Sequence, residues 1–323
     1  MITYNQEKFI SAAIEGILMQ QTSFPFELII GEDCSADKTR SIVKEYADNH
    51  IDIIKPQFPE KNRGMANNLS LVLQAAKGKY IALCEGDDFW TDPLKLQKQI
   101  DFLEGNPAFS ICFHKVKIVH ENKNIEPFYT NDQKEETSIA DLAVGNYIPT
   151  CSCVFRNIPN PKLYYIIEKS AIADFSIHLF NALNGNIKYI NEAMATYRVH
   201  DGSVYETKPE SYKLKMILDT IEILIGNFDS DINGILCERQ LYIYKKLKDV
   251  LMSEDKSNGF AIDYIPKGVV YMIEEQEEVI KKLREKLIES KSVIRKIKSS
   301  VAYKLFFYIT KPIAVFKKID KYS

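Results

Sequence analysis

The sequence predicts an α/β protein, a doubly wound mixed sheet within residues 1–205 followed by a helical C-terminal region. Three observations carry this. Short apolar runs alternate with helical repeats at short, regular intervals as far as Cys84, the pattern of a sheet wound with right-handed crossovers. Two of the runs end in acidic loops, Gly31-Glu32-Asp33 and Glu85-Gly86-Asp87-Asp88, and open α/β sheets bind ligands beyond the carboxyl ends of their strands. After Ser203 the strand signals stop. The expected divisions are 1–205 for the sheet domain, 206–268 for a helical extension, 269–298 for a coiled-coil-like helix and 299–323 for a basic amphipathic tail.

Met1 to Asn5 reads as the end of a strand entering a loop. With so few residues it is short, since strands usually have about five or six. Phe9, Ile10, Ala13, Ile14, Ile17 and Leu18 recur at helical spacing. Phe26–Ile30 is the second strand, and Ser35–Thr39 starts the next helix, with Ile42, Val43, Tyr46 and Ala47 on its apolar side. Asp52–Ile54 is a third strand, Asn62-Arg63-Gly64 a turn, and Met65–Ala76 a helix. Tyr80–Cys84 reads as a fully buried strand of a parallel sheet. Thr91-Asp92-Pro93 precedes a helix over Leu94–Leu103. Phe109–His120 alternates like an exposed or edge strand. Ser138–Val144 is a short helix, Cys153–Phe155 a buried strand, and Asp174–Leu183 a helix with an acid in its first turn. Ile187–Ile190 and Met194–Arg198 are two further strands. Lys213–Ile225 and Gly234–Leu251 are helical.

The chain has 323 residues, 46% hydrophobic and 27% charged, with a formal net charge of -2. That balance is ordinary for a globular protein and argues against nucleic acid as a partner. From Lys291 onward nine lysines and arginines face a single acid, Asp320, which points to an anionic membrane surface. Val301–Phe316 sets Leu305, Phe306, Phe307, Ile309 and Ile313 among lysines, as interfacial helices do. Ile273, Ile280, Leu287 and Ile294 stand seven apart, with Leu283 and Ile297 on a second seam, so a homodimer through 273–297 is an expectation; a single amphipathic helix is the alternative. Six scattered cysteines form no Cys-x-x-Cys pair and read as reduced, mostly buried thiols. No run of about 18 apolar residues suggests a membrane span, and Met1–Asn5 is not a signal peptide. The expected location is cytoplasmic, peripheral on the inner face of the membrane.

Glu85, Asp87 and Asp88 follow the Tyr80–Cys84 strand directly. Three carboxylates so close repel one another unless a cation sits among them, and oxygen-only ligands suit Mg²⁺ or Mn²⁺. An acidic turn capping the next helix is the plainer alternative.

The first 200 residues resemble the family 2 glycosyltransferases. The resemblance rests on Thr3-Tyr4-Asn5, Gly31–Thr39, Asn62-Arg63-Gly64 with Asn67-Asn68, Glu85-Gly86-Asp87-Asp88, Asp174, and Tyr197-Arg198-Val199-His200, in that order. It implies a GT-A-like fold, a nucleotide-sugar donor and transfer with inversion to a glycan or lipid-linked acceptor, in surface polysaccharide biosynthesis. It places Thr3, Tyr4, Asn5, Asp33, Asn62, Gly64, Asn67, Asp87 and Arg198 on the donor, with Asp88 and His200 on a Mn²⁺ or Mg²⁺ ion and Asp174 as the base. A helix-capping role is the alternative for Asn67 and Asp174, and a surface loop histidine for His200. Family members carry more apolar residues before Thr-Tyr-Asn, so the first strand is expected to be cut short, exposing its neighbour's edge. The competing functions are another nucleotide-sugar enzyme, such as a nucleotidyltransferase, and a non-catalytic membrane-associated coiled-coil scaffold. The first calls for a Gly-rich phosphate loop near the amino end, which Asn5-Gln6-Glu7-Lys8 is not, and a dead domain would not need Asp33, Asp87, Asp88 and Asp174.

Overall fold

The computed structural model describes residues 1–121, 123–257, 278 and 280–292. Strands β1 (Ile2–Thr3), β2 (Leu28–Glu32) and β3 (Ile54–Gln57) pair in parallel in that order. Helices α1 (Ile10–Leu18), α2 (Thr39–Asn49) and α3 (Met65–Ala75) link these strands and lead to β4 (Tyr80–Ala82). Helix α1 buries Ile10, Ala13, Ile14 and Ile17, one stripe at the 3.6-residue period. β2 is buried along its whole length, and its carboxyl end delivers Asp33 to the cavity described below.

The second sheet is mixed. Its remaining members are β5 (Phe89–Trp90), β6 (Phe109–His120), β7 (Phe128–Tyr129), β8 (Glu136–Thr137), β9 (Val154–Arg156) and β10 (Asn186–Val199), in the order β4-β9-β6-β10-β5, with β7 beside β6 and β8 beside β10. Alternate residues of β6 serve its two faces. Ile111 and Phe113 pack with Leu142, Phe155, Phe175, Ile177 and Tyr189. Cys112 and Val116 pack with Ile10, Ile14, Ile30, Trp90 and Leu103. Helices α4 (Lys95–Gly105), α5 (Ile139–Val144), α6 (Pro161–Lys169) and α7 (Ala173–Ala182) cover the sheet.

Three expectations are corrected here. β4 is antiparallel to β9, not part of a parallel sheet, and it is half-buried because it lines a large cavity. β6 is central, not an edge: β9 and β10 flank it, and its polar Ser110 is buried with its hydroxyl donating to Gly185 O (3.0 Å). The two strands expected over 187–198 are one strand, β10, interrupted by bulges between Ile190 and Ala195. Asn191, Glu192 and Ala193 are exposed there, which is why the sequence looks broken.

One buried cation has no sequence signal. Lys95 is fully buried, its Nζ donating to Gln99 Oε1 (2.8 Å) and lying 4.1 Å from the centre of the Trp90 ring. Burial lowers its pKa to about 8. Cys84, Cys112, Cys151 and Cys153 are buried free thiols, as expected for most of the six; Cys34 is half-buried and Cys237 exposed.

Helices α8 (Glu210–Leu224) and α9 (Ser230–Ser257) follow. Ile221, Leu224 and Leu236 join the cluster around Phe175 and Ile177, and Met1–Val250 form one compact unit. In the second unit, residues 280–292 are helical with Leu283, Leu287 and Ile288 exposed. The rest of the heptad stretch 273–297 and the basic tail 299–323 lie outside the described residues. Among the described residues no helix is long and apolar enough to cross a membrane.

Candidate functional site

The loops after β1 and β2 clasp each other. Asn5, at φ +53°, receives the Ala36 N–H on Oδ1 (2.9 Å) and gives its own N–H to Ser35 Oγ (2.9 Å). Gln6 N–H donates to Thr39 Oγ1 (2.8 Å), Glu7 N–H to Asp37 Oδ2 (3.0 Å), and Lys38 N–H to Glu7 Oε2 (3.0 Å). The polar run 35–39 therefore fixes the first loop as well as starting α2. Thr3 is buried and its hydroxyl donates to Gln6 Oε1 (2.7 Å), while Tyr4 projects into solvent.

Asp33 is buried at the end of β2, and its two oxygens accept the N–H groups of Arg63 (2.8 Å) and Gly64 (2.9 Å). Its carbonyl accepts from Asn62 Nδ2 (3.0 Å). The loop can turn back onto this carboxylate because Gly64 adopts φ +82°, a conformation costly for other residues. Asn67 is exposed and donates to Arg63 O (2.8 Å). The neighbouring Asn68 is buried and ties α3 to β2 through Gly31 O (2.8 Å).

The acid cluster stands where β4 ends. One oxygen from each of Glu85, Asp87 and Asp88 lies within 4.8 Å of the others. Asp88 is fully buried; its Oδ1 accepts the Arg198 N–H (3.0 Å) and its Oδ2 has no hydrogen-bond partner. Burial, then the charges of Asp87 and Glu85, push Asp88 well above the usual carboxylate range. Burial, then Asp87 and Asp174, push Glu85 up to about 8. An orphaned buried oxygen inside a self-repelling set of hard donors is what a divalent cation would relieve, so these residues fit Mg²⁺ or Mn²⁺. Gly86 N–H donates to Ile2 O (3.0 Å), and a Cβ on Gly86 would stand 2.5–2.7 Å from Gln6 Oε1, Thr3 Oγ1 and Thr3 Cβ. The cluster is pressed directly against the first loop.

Arg198 and His200, at and beyond the end of β10, brace the cluster from the side. The Arg198 guanidinium carbon lies 4.3 Å from the Phe89 ring centre and 5.2 Å from that of Phe9. It donates to Asp87 O (3.1 Å) and pairs with Glu121 (3.1 Å). Gly202 N–H donates to His200 Nδ1 (3.1 Å), which places the ring proton on Nε2, 3.2 Å from Asp87 Oδ2. In this arrangement His200 orients the Asp87 carboxylate.

Asp174 lies in the first turn of α7, whose N-cap is Ile172 with no side-chain cap bond. The aspartate is therefore not the cap. Its Oδ2 accepts from Asn146 Nδ2 (3.1 Å) and Thr150 Oγ1 (3.3 Å), and its Oδ1 from Phe175 N–H (2.7 Å).

A cavity of about 1290 Å³ joins these parts. Thr3, Tyr4, Asn5, Asp33, Asn62, Gly64, Glu85, Asp87, Asp174 and His200 line it, while Asn67, Asp88 and Arg198 do not. Asn146, Thr150, Tyr205 and Arg239 also line it. Sequence reasoning missed these four, because each sits in a loop or helix with no motif around it.

The family model described as Glycosyl transferase family 2 matches residues 1–159. An uncharacterized protein of Mycobacterium tuberculosis (strain H37Rv) is 39% identical over 209 residues, covering 64% of this chain and 59% of its own; the chain thus spans about three-fifths of that relative. The Escherichia coli UDP-Glc:alpha-D-GlcNAc-diphosphoundecaprenol beta-1,3-glucosyltransferase WfaP is 31% identical over 244 residues, covering 72% of this chain and 91% of WfaP. Among solved structures, the mannosyltransferase PcManGT from Pyrobaculum calidifontis, in complex with GDP-Man and Mn²⁺, superposes with a TM-score of 0.53 at 13% identity, covering 89% of this chain and 83% of that one. The mixed sheet is thus of the GT-A type, and by its match to WfaP along most of that enzyme's length the chain belongs to glycosyl transferase family 2.

Proposed function

We propose that this glycosyltransferase moves a sugar from a UDP-sugar to a hydroxyl of a lipid-linked or glycan acceptor, with inversion, in surface polysaccharide biosynthesis. One observation carries the reading: Glu85 and Asp87 of the acid cluster line the same cavity as Asp174, which comes from a different element. Glu85, Asp87 and Asp88 would hold Mn²⁺ or Mg²⁺, with His200 against Asp87. Bound there, the cation would screen the donor diphosphate. The loop of Thr3, Tyr4 and Asn5 and the Asp33-buttressed turn at Asn62 and Gly64 border the space for the nucleoside. Asp174 takes the proton of the acceptor hydroxyl as that oxygen attacks the anomeric carbon. The bond from that carbon to the phosphate oxygen breaks, and UDP leaves with the electron pair. The basic stretch 299–323 would hold the protein on the inner, anionic face of the membrane, beside such acceptors.

The test combines binding and turnover. Calorimetric titration of UDP with Mn²⁺ should show binding that EDTA abolishes. A panel of nucleotide sugars should give one hydrolysed or transferred donor, and Asp174→Asn should reduce turnover by about 10² or more with UDP binding unchanged. Metal-independent UDP binding, or full turnover in Asp174→Asn, overturns the reading.

A further inference from the structure

Arg239, on α9, lines the same cavity as Asp174, Tyr205, Met216 and Ile217. Its guanidinium carbon lies 4.7 Å from the ring centre of Phe175, the residue after Asp174. Among the described residues its one hydrogen bond runs from NH1 to Ala143 O, at 3.5 Å. A guanidinium carries five donors, and among the described residues this one has no carboxylate partner. Burial lowers its pKa to about 10, the mark of a charge held out of water without compensation. The Tyr205 phenol feels both ends of this corner: burial and then the Glu206 carboxylate raise its pKa, with Asp174 adding to the rise and Arg239 opposing it. A purely architectural role would have Arg239 cap the carbonyl end of α5 and pack on Phe175. That role uses one donor at the limit of hydrogen-bond length and leaves the charge unanswered.

We infer that Arg239 binds a phosphate or diphosphate group of the acceptor, carried on an apolar chain. The inference rests on the transferase reading above and specifies its acceptor. The acid cluster accounts for the donor's diphosphate through its cation. Arg239 stands instead at the Asp174 corner, where the acceptor hydroxyl must come. Val204, Met216 and Ile217 line the same cavity with apolar side chains, and Val204 is 56% exposed. An anion bound in a cavity with such a lining matches a phosphate joined to a lipid better than a free sugar.

Three probes test this by calorimetry on the full chain in EDTA, which leaves the acid cluster repelling diphosphates: farnesyl diphosphate, farnesol and inorganic pyrophosphate. Farnesyl diphosphate should bind the wild type at least tenfold more tightly than either other probe. Arg239→Gln should lose that advantage, and Arg239→Lys should keep part of it. Equal binding of farnesyl diphosphate to wild type and Arg239→Gln overturns the inference, as does farnesol binding as tightly as its diphosphate. Pyrophosphate binding as tightly as farnesyl diphosphate would make this a free-phosphate site and overturn the acceptor assignment. UDP with Mn²⁺, titrated separately, should bind Arg239→Gln as it binds the wild type; loss there would make Arg239 structural. Failure of UDP to bind even the wild type would overturn the transferase reading but leave the Arg239 comparison intact.

Discussion

Asn146 gives Asp174 a hydrogen bond from Nδ2 (3.1 Å) that the rest of its amide holds in place. Its Oδ1 accepts the Ile148 N–H (3.4 Å), which fixes which amide atom is oxygen, and it faces His178 Nδ1 at 3.2 Å. His178 must then carry its proton on Nδ1. Asn146→Ala removes a donor that holds the Asp174 carboxylate in position. Turnover should fall about three- to tenfold, the worth of one hydrogen bond, with donor KM unchanged. A wild-type kcat would separate Asn146 from the chemistry.

His178 also predicts acid sensitivity. Burial lowers its pKa from 6.5 to about 4. Between those values the unfolded chain binds a proton that the folded chain refuses. This contribution to stability is therefore complete above about pH 6.5 and is lost as the pH falls toward 4, by up to about 1.4 kcal/mol per pH unit. Buried His114 shifts in the same direction. Urea unfolding at pH 7, 5.5 and 4.5 should show the decline, and His178→Gln should flatten it. A variant with the wild-type slope would contradict this origin.

Asp88→Asn should separate folding from cation binding. Asparagine still offers an oxygen to the Arg198 N–H and removes the charge that burial and its neighbours oppose. In EDTA the variant should melt no lower than the wild type. Added Mn²⁺ should raise the wild-type Tm and leave that of Asp88→Asn unchanged. A full Mn²⁺ shift in the variant would place the cation elsewhere.

Gly86→Ala tests the contact between acid cluster and first loop. Its methyl would meet Thr3 and Gln6 at 2.5–2.7 Å, an overpacking expected to cost about 1–3 kcal/mol. Urea unfolding measures it, and cation affinity should fall with stability. Wild-type stability would mean that the loop yields freely.

Much of this was readable in the sequence, for reasons that differ by residue. The alternation up to Cys84 exposed the wound sheet because each element is short and strongly periodic. Asp33, Asp87, Asp88 and Asp174 stood out because acids directly after strands, or at a helix start beside aromatic residues, are hard to explain by packing. Their partners were not legible. Asn146 meets Asp174 across 28 residues and Arg198 meets Asp88 across 110, and no local pattern encodes such distances. Lys95 reads as a surface helix residue until Trp90 and Gln99 are seen to enclose it. The β10 bulge hides for a related reason: polar residues in mid-strand look like a turn.

That bulge sets a phase. Between the pairs Ile190/His114 and Tyr197/Ile118, β10 advances seven residues while β6 advances four. The odd surplus inverts which side chains of β10 look toward which face of the sheet. Past the bulge, Tyr197 lines the cavity while Arg198 sits between Phe9 and Phe89 with its N–H on Asp88. Deleting a single residue at 191–193 would exchange the two, turning the guanidinium into the cavity and the phenol toward the aromatic pair. The length of an exposed kink thus governs the wiring of the buried Asp88 carboxylate, on a distant part of the chain. Insertions or deletions in that kink should abolish the proposed transfer only when they change its residue count by an odd number.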